Sequence, residues 1–275
     1  MSPSDVFADG VLEGRVALVT GGGTNLGKAA AHELSRCGAQ VVIAGRRTEV
    51  LEETAGEIGC ACVAGDIREE AEARRIVSEV LERHGRLDFL LNNAGGQYFV
   101  AAEAITAKGW RAVQRLNVDG TLNMSEAAHD LAMQPAGAGT IVNVTVSPHQ
   151  GMPAMAHTGA ARAAVEELTG ELAACWSADG VSVLAIALGR FDTESLRKYP
   201  AELWRSAAAT VPVQRLGRTE EYGWLVALLA SPLGKALSGS VLTLDGALDN
   251  WTGPWPPAGL AGDGEVPTEE RRPLV

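Results

Sequence analysis

Seven short apolar runs, separated by stretches of helix length, constrain this chain more than any other feature. The runs are Val16–Thr20, Gln40–Ala44, Cys60–Ala64, Leu87–Asn92, Thr140–Val146, Val181–Leu188 and Ser240–Leu244. Most are continuously apolar rather than alternating, as in parallel strands buried on both faces. Between them, helices are predicted at Leu26–Cys37, Glu49–Ile58, Glu69–His84, Lys108–Met133, Met155–Ser177 and Glu220–Ala230. Such alternation predicts the α/β class: a doubly wound parallel sheet of about seven strands, flanked by helices on both faces and joined by right-handed crossovers.

A chain of 275 residues, 46% hydrophobic, suits one large unit with a full core. The expected organisation is a single domain over residues 1–250 and a Pro/Gly-rich tail over 251–275. An insertion at about 190–218, with Arg197, Lys198 and Arg205, is long enough to serve as a substrate lid. Trp251 and Trp255 imply that the start of the tail packs on something, while its last residues read as disordered. No apolar run reaches transmembrane length. Met1 to Gly10 holds Asp5 and Asp9 and lacks the order of a secretory leader. A cytoplasmic protein is therefore expected, with Cys37, Cys60, Cys62 and Cys175 as buried free thiols and no metal site. The net charge of −11 argues against a nucleic-acid partner but leaves room for a local basic pocket.

The segment Thr20-Gly21-Gly22-Gly23-Thr24-Asn25-Leu26-Gly27 follows a strand and opens a helix. Glycine lets the backbone approach a pyrophosphate, and the helix N-terminus adds N–H groups and a favourable dipole. A glycine-rich run alone fits an ordinary turn; the strand before and helix after favour a nucleotide site. Its candidate cofactor residues are Gly21, Gly23, Thr24, Asn25, Leu26 and Gly27. Asn25 stands where a glycine is usual, and Asn tolerates left-handed geometry. The second strand ends in Gly45-Arg46-Arg47. An NAD site puts an acid there for the ribose 2′-hydroxyl, whereas a guanidinium can pair with a 2′-phosphate, so Arg46 and Arg47 point to NADP(H). The alternative is two solvated arginines at a helix start.

With these residues, the chain resembles the short-chain dehydrogenase/reductase family from about Leu12 to Gly246, which implies a Rossmann fold. The resemblance implies that Asp66, with Ile67 beside it, contacts adenine. It places Asn93, Ala94 and Gly95 of Asn92-Asn93-Ala94-Gly95 under the adenosine ribose. Asn117 would hold a proton-relay water, and Gly189 and Thr193 would lie near the carboxamide. The runs Gly95-Gly96-Gln97, Lys108-Gly109-Trp110 and His157-Thr158-Gly159-Ala160-Ala161-Arg162, with the Trp-bearing tail, look like the peroxisomal trans-2-enoyl-CoA reductase branch. The neighbouring 2,4-dienoyl-CoA reductases share its departure from Tyr-x-x-x-Lys. The family also implies a homotetramer or homodimer built on the two long helices.

The family's Tyr-x-x-x-Lys is replaced here by Thr158 and Arg162. An aliphatic hydroxyl is far too weak an acid to stand in for the tyrosine. Arg162 can hold ribose hydroxyls but cannot deliver a proton near neutral pH. The family's serine falls at Val146 or Thr145, depending on the direction of counting, and Leu188 replaces a proline. Candidate catalytic residues are Asn117, Thr145, Ser147, Thr158, Arg162 and Tyr98. Tyr98 and Tyr199 are possible replacement acids, though an aromatic there more often forms a wall. His157 reads as a satisfied helix residue and His149 as a loop residue. Three readings follow. The first is NADP(H)-dependent reduction of a conjugated C=C bond in an enoyl thioester or enone, since donors can stabilise the oxyanion without transferring a proton to it. The second is a non-redox reaction (cyclisation, epimerisation or elimination), or a pseudoenzyme, with structural cofactor. The third is carbonyl reduction with a relocated acid. For a thioester, Arg197, Lys198, Arg205, Arg215 and Arg218 would offer a basic rim.

Overall fold

The computed structural model describes residues 4–147, 149, 151–152, 154–197 and 207–250. Its strands are β1 Val16–Thr20, β2 Gln40–Gly45, β3 Ala61–Ala64, β4 Phe89–Asn92, β5 Gly139–Val146, β6 Val181–Leu188 and β7 Val241–Leu244. They form one parallel sheet in the order β3-β2-β1-β4-β5-β6-β7. The chain starts in the middle, winds outward to β3, returns, and winds the other way to β7. The order therefore reverses between β1 and β4, and a crevice opens beyond their C-terminal ends.

The helices are α1 Asn25–Arg36, α2 Thr48–Ile58, α3 Glu70–His84, α4 Ala107–Gln114, α5 Gly120–Ala128, α6 Gln134–Ala136, α7 Ala156–Trp176, α8 Glu194–Arg197 and α9 Thr219–Ala230. Alternate residues of each central strand serve opposite cores, which is why the runs are continuously apolar. Ala17 and Val19 of β1 pack with Ala30 and Leu34 of α1 and with Val226 and Leu229 of α9. Val16 and Leu18 pack on the other face with Ile76 and Val80 of α3 and Met124 of α5.

Strand and helix positions follow the sequence reading with ends shifted by one or two residues. The larger correction is the helix expected over Lys108–Met133. It begins at Ala107 and is interrupted by π-helical turns at Arg115–Asp119 and His129–Met133. The second lies just before Pro135, whose missing N–H removes a regular i→i−4 bond. The cysteines are free, but of the four expected to be buried only Cys37 is; Cys60 and Cys62 are half-buried and Cys175 is exposed.

Within the insertion, α8 and a 3-10 turn at Ala208–Thr210 are formed, and a bridge between Phe191 and Gly217 closes its base. Lys198, Tyr199, Arg205, Trp251 and Trp255 lie outside the described residues. Among the described residues no helix is long and apolar enough to cross a membrane, and no group of side chains could hold a metal ion.

Candidate functional site

The glycine loop sits at the C-terminal end of β1, where chain crowding dictates its composition. Gly21 has φ +66°, and a Cβ there would lie 3.0 Å from the Ala94 Cα. A Cβ on Gly27 would lie 2.2 Å from the Gly21 carbonyl oxygen. Asn25 takes φ +48°, the left-handed geometry its residue type tolerates. α1 then starts with no acidic side chain in its first turn and no side-chain cap at Thr24. Its first N–H groups and the positive end of its dipole thus suit an anion.

The ends of β1 and β4 are stitched together beneath this loop. Thr20 Oγ1 accepts from the N–H groups of Asn93 (3.1 Å) and Ala94 (3.0 Å). Asn93 Nδ2 donates to the Thr20 carbonyl at 3.0 Å. The hydroxyl of the buried Tyr222, on α9, donates to Asn93 Oδ1 at 3.2 Å. The Asn93 side chain is therefore a brace for the loop.

Arg46 and Arg47, after β2, are exposed, and the Arg46 charge acts on Asp66. Asp66, past β3, accepts from Arg68 Nε at 2.9 Å, and that bond lowers its carboxyl below the usual carboxylate range. Ile67 is buried against Gly120, at the start of α5.

Thr158 and Arg162 lie one turn apart near the start of α7, and both are buried. The Thr158 hydroxyl has no hydrogen-bond partner. Arg162 donates through Nη1 to the Val144 carbonyl at 2.6 Å, while its Nε is buried and unpaired. Burial pushes this guanidinium down to about 10, so it remains a cation at neutral pH. A Cβ on Gly95 would lie 2.3 Å from Arg162 Nη2 and 2.8 Å from Asn117 Oδ1. Glycine at 95 is thus what lets the turn after β4 close over the arginine.

Asn117 lies in the first π turn. Its Nδ2 donates to the carbonyls of Val113 (2.8 Å) and Gly96 (2.9 Å), and its Oδ1 accepts from the Gly96 N–H at 3.2 Å. The widened turn brings this side chain onto the segment after β4, and its amide is occupied in holding Gly96. Gly189 packs without room for a Cβ, which would lie 2.5 Å from the Asp245 Cβ. Thr193 accepts from the Leu196 N–H at 3.3 Å and so caps α8.

Two hydroxyls expected to serve an oxyanion are otherwise engaged. Thr145 Oγ1 donates to Glu166 Oε1 at 2.6 Å, and Ser147 Oγ donates to Asp245 Oδ2. A hydroxyl has one proton, and a carboxylate is the stronger acceptor, so neither faces the cleft as a free donor. Tyr98 packs edge-on against His157 with ring centroids 4.4 Å apart. Its hydroxyl lies against Gly109, where a Cβ would approach it to 2.0 Å. Tyr98 is a wall residue in this arrangement. His157 was expected to be satisfied, but both of its ring nitrogens are buried without partners.

Sequence reasoning missed Tyr222, Glu166, Asp245 and Asp249. A tyrosine in an apolar helix, a glutamate in mid-helix and aspartates on a turn after the last strand carry no spacing signal for residues so distant in the chain. Of the expected basic rim, Lys198 and Arg205 lie outside the described residues, and two of the other three charges are ion-paired. Arg197 pairs with Asp192 at 2.8 Å, Arg215 with Glu221 at 2.7 Å, and Arg218 lies over the Trp224 ring.

The reversal in strand order, the glycine loop and the free helix terminus define a fold of the Rossmann class, which binds dinucleotides. A family model described as Enoyl-(Acyl carrier protein) reductase matches residues 22–248. A probable 2,4-dienoyl-CoA reductase of Bacillus subtilis is 34% identical over 89% of this chain and 100% of its own length. A peroxisomal 2,4-dienoyl-CoA reductase of Danio rerio is 32% identical over 88% of this chain and 83% of its own. The solved NADP active-site complex of Pseudomonas aeruginosa RhlG is 30% identical, with a TM-score of 0.83, and covers 88% of this chain and 100% of that one. The chain belongs to the short-chain dehydrogenase/reductase family and is an oxidoreductase built for a nicotinamide cofactor. The residues present fit that group: the tight glycine cradle admits a backbone approach to a pyrophosphate, and the buried Arg162 Nε lacks an acceptor.

Proposed function

We propose that this enzyme uses NADPH to reduce a C=C bond conjugated to a carbonyl, in an acyl thioester or a related enone. The observation that carries the reading is the Thr158 hydroxyl: buried, unpaired and one helical turn from a buried cation with an unfilled donor. A ketone reductase needs an acid strong enough to protonate the carbonyl oxygen as it gains charge. Reduction of a conjugated C=C bond needs only donors that stabilise that oxygen. Thr158 is such a donor and is far too weak an acid for the first task. The similarity to dienoyl-CoA reductases supports the same choice.

The residues that would hold the cofactor are the backbone from Gly21 to Gly27 at the pyrophosphate, Arg46 and Arg47 at the 2′-phosphate, and Arg162 at ribose hydroxyls. When bound, the reduced nicotinamide supplies a hydride equivalent to the alkene. Thr158 donates a hydrogen bond to the carbonyl oxygen of the substrate, and the Arg162 charge raises the electrostatic potential there. Both act where water is excluded, which strengthens each interaction. The α-carbon takes its proton from water or a weak acid in the cleft.

Incubation with NADPH and a panel of enoyl thioesters tests the proposal. Loss of NADPH matched by saturated product is the expected result. The absence of NADPH consumption with every conjugated acceptor refutes it.

A further inference from the structure

Alongside α7, three carboxylates and a histidine meet from separate parts of the chain. His149, in the loop after β5, presents Nε2 to Glu166 Oε1 of α7 at 3.0 Å and Nδ1 to Asp249 Oδ2 beyond β7. The His149 N–H also donates to Asp249 Oδ1 at 2.7 Å. The Asp249 N–H donates to Asp245 Oδ2 at 2.7 Å, and the same oxygen accepts from Ser147. Glu166 Oε1 takes a second donor, Thr145, at 2.6 Å. One continuous chain of contacts thus joins β5, the following loop, α7 and the turn after β7.

An ionised carboxylate only accepts hydrogen bonds, and a neutral imidazole has a single N–H. Two carboxylates facing the two ring nitrogens are therefore both answered only by the imidazolium. We propose that His149 is a positioning residue: as an imidazolium between Glu166 and Asp249 it fastens the loop from β5 to α7, and with it the helix start that carries Thr158, to the segment after β7. The loop needs such a fastening because its backbone includes Gly151 at φ +127° and Ala154 at φ +60°. Ala154 in turn accepts from the Val100 N–H at 2.8 Å, so the fastening extends to the segment after Tyr98.

The charged groups facing His149 are Glu166 from α7 and Asp249 and, one contact further, Asp245 from the turn after β7. Burial works against protonation of His149, but the hydrogen bond to Asp249 and the charge and hydrogen bond of Glu166 outweigh it, and its pKa is raised. The sign follows. The fastening is at full strength below the ordinary histidine value of about 6.5 and is lost as pH rises through the raised folded value.

The test is hydrogen exchange across residues 147–156 in the full chain and in His149→Gln, compared at matched pH. The expected result at about pH 6 is protection about tenfold greater in the wild type, as for loss of a charge-assisted bond. The difference should vanish at alkaline pH. Equal exchange at about pH 6, or a difference that persists unchanged at alkaline pH, overturns the proposal. If His149→Gln fails to fold, the intrinsic-rate-corrected pH trend of the wild type alone decides, since a pH-independent loop contradicts the fastening. A second readout is kcat at saturating NADPH, which should fall over the same alkaline range in the wild type with KM for NADPH unmoved. That readout rests on the reduction proposed above, whereas exchange needs no substrate, so the two failures are distinguishable.

Discussion

Arg162 donates a hydrogen bond from Nη1 to the Val144 carbonyl oxygen at 2.6 Å, and it pairs with no carboxylate among the described residues. A buried cation held by one carbonyl is a cost to the folded chain. That cost makes sense if the missing partners belong to a ligand. Replacing Arg162 with Met should leave the free protein as stable as the wild type or more stable, by up to about 2 kcal/mol. The same variant should bind NADPH at least about tenfold more weakly. Thermal melts with and without NADPH check both halves.

Thr158→Val keeps the volume and removes the hydroxyl. Because that hydroxyl is unpaired, stability should change by less than about 1 kcal/mol. Turnover should fall by about 10²-fold, the usual loss when one oxyanion donor is deleted, with KM for NADPH unchanged. Steady-state kinetics and a denaturant melt measure the two effects.

Arg46 and Arg47 are exposed, so their removal is structurally cheap. The double change to Ala should alter stability by less than about 0.5 kcal/mol. It should weaken NADPH by about 10- to 100-fold, as for loss of charged hydrogen bonds, and leave NADH almost untouched. Titration with both cofactors gives the ratio.

Tyr98→Phe removes a hydroxyl that lies against Gly109. Turnover should stay within about twofold, since packing on His157 is kept. A loss of several orders of magnitude would return Tyr98 to the role of acid.

The sheet was legible because β1, β2, β5 and β6 are mostly apolar on both faces, a pattern that two-sided burial requires, with Asn143 and Thr145 of β5 among the polar exceptions. The glycine loop was legible because a glycine-rich run between a strand and a helix is a local pattern, although Asn93 and Ala94, which crowd Gly21, come from far along the chain. The π turns were not, since helical periodicity over Lys108–Met133 looks continuous and the extra residue in each turn leaves no compositional mark. Thr158 and Arg162 could be aligned by spacing, but their lack of partners could not be known before packing. Thr145 and Ser147 were read as donors to substrate, and the reading missed that Glu166 and Asp245 take their protons. Those acids lie 21 and 98 residues away in the chain.

The most direct measurement is the position of the label after turnover of an enoyl thioester with NADPH deuterated at the transferring carbon. The account predicts a saturated thioester with a single deuterium on the β-carbon. Deuterium on a carbinol carbon, or a converted product with none, would contradict it.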